Sequence, residues 1–116
     1  MPEASDNPSL SAVAFHILVA VASGSRHGYG IMKEVATATG GEVKLNAGTL
    51  YTTIRRLLDD GLIRETVAPR GLDEVDERRR YYAITPAGRR AAEIELARLK
   101  SVVQRAAATL RPRHSG

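Results

Sequence analysis

The sequence predicts a mainly α-helical chain carrying one small β-hairpin, and three observations predict it. Apolar residues recur at helical spacing between Leu10 and Val21, between Leu50 and Leu58, and between Ala92 and Leu110. Aromatic residues are scarce, one Phe and four Tyr with no Trp, so the core must be built from Leu, Ile, Val and Ala, which favours packed helices over a sandwich. Residues 62–68 and 79–84 are two short runs rich in β-branched and aromatic types, and Pro69-Arg70-Gly71 opens the turn between them. A length of 116 residues suits one domain with one core.

The first helix is expected to open at Pro8 or Ser9 and to reach about Ala22. Leu10, Val13, Ala14, Ile17, Leu18 and Val21 form its stripe, and Val19 and Ala20 widen it. A helix apolar nearly all round is buried on several sides, and Leu10 and Ile17 are candidates for a subunit interface. The segment SGSRHG interrupts it. A second helix runs from about Tyr29 to Thr39 with Met32, Val35 and Ala36 inward, and Gly40 and Gly41 stop it, because glycine readily takes the left-handed conformation of a C-terminal cap. Asn46 is a good N-cap for a third helix, its side-chain oxygen accepting from a free amide of the first turn, and Gly61 closes that helix. After the hairpin, Thr85-Pro86 joins a cap to proline at the first helical position. The last helix then runs to Leu110, about 37 Å at 1.5 Å per residue. The expected organisation is a flexible N-terminus over 1–8, a first unit over 9–85, a C-terminal helix over 86–110 and a flexible tail over 111–116.

On the third helix Leu50, Ile54, Leu57 and Leu58 share one face with Tyr51 on its flank, while Thr49, Thr52, Thr53 and Arg56 lie on the other. Threonine is a poor helix former, so propensity did not select three of them. A surface that meets a DNA groove would use them, since their hydroxyls can bond phosphates or bases and their methyls can touch thymine. Asp59 and Asp60 in the last turn would repel phosphate, so such a helix must enter N-terminus first, with Arg55 and Arg56 near the flanking backbone. A solvated polar face on a structural helix is the plainer alternative.

The hairpin weighs against that alternative. Helix three, two strands and a basic tip make the pattern of a winged helix-turn-helix. Lys and Arg number 17 against 13 acids, a modest excess whose placement matters more than its size. Arg70 stands at one end of the turn, and Arg78, Arg79 and Arg80 stand where the chain returns. Alternate strand residues share a face, so Arg78 and Arg80 point together and Arg79 opposes them. They can reach phosphates beside a groove, or they can pair with the nearby Asp73, Glu74, Asp76 and Glu77, which contributes little when exposed.

Ala92, Leu96, Leu99, Val103, Ala106 and Leu110 are spaced 4-3-4-3-4, a heptad-like seam. It extends past what a small helical core can cover, which points to pairing with a second subunit; intramolecular cover over the first helix is the alternative. A two-fold dimer would offer two third helices to double-stranded DNA, so its site should be palindromic with half-sites about 10 bp apart.

Other classes find little support. There are no cysteines, so disulfides and thiolate chemistry are excluded. His16 and His27 lie eleven apart and His114 is in the tail, which leaves no metal constellation and no metal or cofactor expected. No triad, paired carboxylates or phosphate-cradling glycine loop appears at workable spacing, so an enzyme is not expected. The start MPEASDNP does not resemble a signal peptide, and the run from Ala12 to Ala22 is too short to span a bilayer. A cytoplasmic protein with no membrane partner is the expectation.

The blocks HGYGIMKEV (27–35), Gly48 to Tyr51, IRRLLDDGLI (54–63) and RRRYYAITPAGRR (78–90) resemble the PadR family of bacterial transcriptional regulators. The resemblance runs from about Leu10 to Ala106, and its combination of blocks is specific. It implies a winged-helix dimer acting mostly as a repressor, and the single C-terminal helix resembles the smaller subgroup. It further implies DNA contact at Tyr51, Arg56 and Arg79, and a place for Tyr29 near the phosphate backbone. With Asn46, Thr49, Thr52, Thr53, Arg55, Arg70, Arg78 and Arg80 these make the candidate DNA-binding set. A small apolar effector between the first and last helices of the dimer is also implied by the family. Some small members hold flat hydrophobic drugs between tryptophans at the dimer centre, and this chain has no Trp to supply that contact. The family's frequent Ser-Pro before Gly-Thr is here Asn46-Ala47, which leaves the cap intact. A winged-helix protein–protein interaction module without DNA readout is the alternative function, and it would ask for apolar residues on the outer face of the third helix.

Overall fold

In a computed structural model, residues 10–71 and 79–112 are described. The expectations for residues 1–8, for Arg78 and for most of the tail lie outside them. The order is α1 (Ala12–Ala22), β1 (Arg26–His27), α2 (Gly28–Ala38), α3 (Ala47–Asp59), β2 (Ile63–Thr66), β3 (Tyr81–Ile84) and α4 (Pro86–Leu110).

Three adjustments to the sequence reading follow. Leu10 is not helical, and α1 starts at Ala12 because the Ser11 side chain takes the capping role, accepting from the Ala14 amide at 3.1 Å. Strand β1 was not anticipated; two residues inside a Gly/Ser-rich break give no periodic signal. It turns the expected hairpin into a three-stranded antiparallel sheet of order β1-β3-β2. Tyr82 lies opposite Arg26 on one side and Glu65 on the other, and Tyr81 lies between His27 and Thr66. The third adjustment concerns Ile17. It is 0 % exposed within a single chain, so a second subunit has none of its surface to cover, and it belongs to the core.

That core joins Ile17, Leu18 and Val21 of α1, Ile31 and Val35 of α2, and Leu50, Ile54 and Leu57 of α3 with Ile63 and Tyr82 of the sheet. Helices α2 and α3 end alike. Gly41 N–H donates to Ala36 O at 2.7 Å and Gly40 N–H to Thr37 O, while Leu62 N–H donates to Leu57 O at 2.9 Å and Gly61 N–H to Leu58 O. These are paired Schellman bonds, and they require the left-handed backbone seen at Gly40 (φ 62°) and Gly61 (φ 73°). Two arginines are spent on structure: Arg26 donates to Ala20 O at 2.7 Å and Arg89 to Ala22 O at 3.1 Å, serving carbonyls at the end of α1.

Helix α4 packs against α1 and β3 only along its first half. Gly88 is buried and Ala92 lies against the core. Glu95 is only 5 % exposed, and both its oxygens accept from Arg98, one turn on. That pairing holds the Glu95 carboxyl below its ordinary pKa and raises Arg98. From Lys100 to Leu110 every residue is exposed. No helix among the described residues is long and apolar enough to cross a membrane.

Candidate nucleic-acid interface

Helix α3 presents a polar outer face because its apolar residues are consumed beneath it. Leu50, Ile54 and Leu57 are buried, while Thr49, Thr52, Arg55 and Arg56 are exposed. Neither Arg55 nor Arg56 makes an ion pair with a described residue. Thr53 departs from the expected outer face. It is half-buried on the flank, and its hydroxyl donates to Thr49 O at 2.8 Å, the internal back-bond open to a helical threonine.

At the head of α3 Asn46 Oδ1 accepts from the Thr49 amide at 2.8 Å. This fixes the first turn, whose remaining amides and positive dipole end face outward. Asn46→Ala is expected to lower unfolding free energy by about 1 kcal/mol, read as a lower denaturation midpoint in urea. An unchanged midpoint would mean the cap contributes nothing.

A second group of side chains assembles beside α3, where β1 runs into α2. His27 caps α2, its Nδ1 accepting from the Gly30 amide at 2.9 Å, so that nitrogen carries no proton. Arg79 Nη1 lies 3.2 Å from His27 Nε2 and 3.3 Å from Nδ1, astride the ring. The Arg79 guanidinium also stands 5.8 Å from the Tyr29 ring centre, and Lys33 Nζ stands 5.5 Å from it. Both distances fall within cation–π range. Tyr29 itself is 54 % exposed. Two cations, a phenol and the N-terminus of α2 therefore share one surface.

Arg80 turns the other way, to Glu65 Oε2 on β2 at 3.3 Å. Arg79 and Arg80 thus diverge, although both precede the strand, which begins at Tyr81. Arg70 is exposed at the opposite turn. Tyr51 leans from α3 over α2 and is 48 % exposed. It fits because residue 28 is glycine, where a β-carbon would lie 2.4 Å from the Tyr51 hydroxyl. Tyr82, beneath it, has its phenol pKa raised by burial and by Glu65 and Tyr51 against the opposing pull of Arg80, so it stays a neutral donor.

The structure therefore groups Tyr29 and Arg79 around the start of α2 and sets Thr49, Thr52, Arg55 and Arg56 on α3. Sequence reasoning overlooked Lys33 and Gly28. The first was detectable, lying four residues after Tyr29 and hence on the same helical face; the second acts through a close approach no pattern reveals. Among the described residues no group of three His, Cys, Asp or Glu could hold a metal ion.

Residues 17–94 match the profile of the transcriptional regulator PadR-like family. No curated protein sequence matches the chain. Among solved structures, a transcriptional regulator from Clostridium thermocellum superimposes with a TM-score of 0.70 at 25 % identity, covering 86 % of this chain and 93 % of that one. Bacillus subtilis PadR in complex with operator DNA gives 0.61 at 17 % identity, over 91 % of this chain and 51 % of its own. Bordetella bronchiseptica BpsR, described by the regulation of its DNA binding by 6-hydroxynicotinic acid, gives 0.64 at 22 %, over 97 % and 73 %.

Proposed function

Because that match spans more than half of its residues, the chain belongs to the PadR-like family of transcriptional regulators, and on that premise we propose that it works as a homodimeric, ligand-responsive repressor of a palindromic operator. The family is one of regulators, not of enzymes. The observation that carries DNA readout is the exposed Thr49, Thr52, Arg55 and Arg56 face of α3 beside the Tyr29–Arg79 cluster. In this reading α3 enters the major groove N-terminus first, keeping Asp59 and Asp60 away from phosphates. Arg79, Arg80 and Lys33 grip the flanking backbone. The Bacillus subtilis relative, seen with operator DNA, supports DNA as the partner. The polar outer face disfavours a module that only binds protein.

Dimerisation through α4 is supported by its exposed half. Val103 is 64 % and Leu110 78 % exposed on the seam with Leu96, Leu99 and Ala106. An isolated helix of three turns is marginal in water, and pairing would bury this stripe. Ala92 sits at the start of the seam, and Leu10, just before α1, is half-buried against the core. Phe15 and Val19 share the face of α1 that its own chain leaves partly open. A small apolar effector between these α1 and α4 faces is part of this reading, and the Bordetella relative, whose DNA binding responds to a small molecule, supports ligand response. Repression follows if the dimer covers a promoter, and the protein then acts in the cytoplasm, where bacterial DNA lies.

Val103→Glu tests the arrangement. It is expected to convert a dimer to a monomer in sedimentation and to weaken binding to promoter DNA by more than about tenfold, because one half-site then binds without its partner. Helical circular dichroism should fall by no more than the unpaired second half of α4 contributes. A wild type that sediments as a monomer, or one that forms no sequence-preferring complex with its own promoter region, would overturn the proposal.

A further inference from the structure

Arg79 is exposed, and a long exposed side chain has many rotamers to lose when it grips a phosphate. The imidazole of His27 narrows that choice. Arg79 Nη1 lies 3.2 Å from His27 Nε2 and 3.3 Å from Nδ1. A nitrogen so near to both cannot lie in the plane of the ring, because on either side a ring carbon would be in its way. It stands over the ring face, where a guanidinium stacks well.

We propose that His27 is a positioning residue for DNA binding: its ring seats the Arg79 guanidinium before any DNA arrives, without itself touching DNA. The proposal rests on the DNA-binding reading above. Three neighbours hold the ring. Its Nδ1 accepts from the Gly30 amide at 2.9 Å, which ties it to the first turn of α2. It lies nearly parallel to the Tyr29 ring, 10° between planes and 6.5 Å between centres. It meets Tyr81 edge-on at 5.3 Å, the residue opposite it in the β1–β3 ladder. Gly30 makes room for this arrangement. A β-carbon at residue 30 would lie 3.3 Å from His27 Cε1 and 3.4 Å from Nδ1, closer than a ring and a methyl group ordinarily rest.

The chemistry of the contact suits a seat better than a clamp. A neutral imidazole has one in-plane lone pair, and here Gly30 receives it. The other nitrogen then carries the proton, so it too accepts nothing. The ring therefore takes none of the Arg79 donors, and it fixes the guanidinium by its face alone. Arg79 also stands 5.8 Å from the Tyr29 ring centre, so it reaches across both rings. His27 and Arg79 lie 52 positions apart, and their contact ties the segment before β3 to the head of α2. A side chain ordered in advance has less freedom to lose on binding.

His27→Asn separates the seat from the cap. Asparagine is among the best N-caps, so its side-chain oxygen can still serve the Gly30 amide while the ring is gone. The melting temperature should stay close to that of the parent. Binding to the chain's own promoter region should weaken about tenfold, the freedom of one arginine per subunit having been restored. Arg79→Ala should weaken it further, and adding His27→Asn to Arg79→Ala should change affinity by no more than about twofold, since the seat then has nothing to hold. Should His27→Asn melt early, His27→Ser, another capping residue without a ring, takes its place in the same cycle. Without DNA, Arg79→Ala should shift the carbon-bound ring protons of His27 and leave the Gly30 amide signal in place. Parent-like affinity of His27→Asn, or losses that multiply in the double variant, would overturn the proposal and leave the DNA-binding reading intact. Unmoved His27 ring signals would overturn the seat whatever the DNA measurements gave. A parent chain with no sequence-preferring complex would remove the regulator reading, and with it the purpose of the seat.

Discussion

Replacing Arg56 and Arg79 together with alanine is expected to weaken operator binding by more than a factor of about one hundred and to flatten its salt dependence. The two residues stand on different elements, Arg56 on the outer face of α3 and Arg79 beside Tyr29 at the start of α2. Their losses should therefore combine without shared neighbours. A hydrogen bond to a charged partner is worth about 1.5–3 kcal/mol. Two such bonds at the low end already exceed a hundredfold, with about 1.4 kcal/mol to each factor of ten. The salt signature separates phosphate contact from other roles, because each lost contact removes about 0.9 from the slope of log K against log salt. A dimer that loses two per subunit should show a slope smaller by roughly 3 to 4. Arg79 also straddles His27, so circular dichroism and the melting temperature must be shown to hold. Equal affinity at low salt with an unchanged slope would remove both residues from the interface.

How much of this was legible beforehand varied with the range of the interaction. Caps and periodicity are local. Asn46 and Thr85 accept from the amides of Thr49 and Gly88 three residues on, and the stripe Leu50, Ile54, Leu57 is buried as its spacing implied. Strand β1 was not legible, because its two residues are ordered by pairing with Tyr81 and Tyr82, over fifty positions away. Ile17 was assigned to a subunit contact since an all-round apolar helix does not declare which side faces its own chain. His27 caps α2 by accepting from the Gly30 amide three residues on, a bond of the same local range. The Tyr29–Lys33–Arg79 group combines a local spacing, Tyr29 to Lys33, with a distant one. Only the local half could be read from sequence. Thr53 sits half-buried on the flank, and the helical wheel, which gives direction, does not reveal that its hydroxyl donates to Thr49 O.

The same long-range logic makes Gly88→Ala the substitution with the largest expected cost in stability, although a glycine-to-alanine change in a helix ordinarily stabilises it. Gly88 is the third residue of α4, and it crosses the chain just past α3. Thr85 binds both helices at this crossing: its amide donates to Leu62 O at 3.1 Å, its hydroxyl donates to Gly61 O at 2.7 Å, and the same oxygen accepts from the Gly88 amide at 3.0 Å. A β-carbon at residue 88 would meet Leu62 O at 1.9 Å and Leu62 C at 2.9 Å. Both are backbone atoms, held by the bond from Leu62 N–H to Leu57 O, and no side-chain rotation can clear them. Either the closing motif of α3 or the start of α4 must give way. Overpacking of this kind costs about 3 kcal/mol or more, which for a chain of this size lowers the melting temperature by roughly 10 °C. Gly48→Ala is the contrasting control. It lies in the exposed first turn of α3, and its nearest neighbour would be Asn46 Oδ1 at 3.4 Å, so it should be neutral or gain up to about 1 kcal/mol. Opposite signs for one chemical change would locate the cost in the crossing of α3 and α4. A Gly88→Ala chain that melts within a degree or two of the parent would show that this crossing can open by more than an ångström without loss. The rigid placement of α4 against the α3 unit, on which a dimer must depend to space its two reading helices, would then have no structural basis.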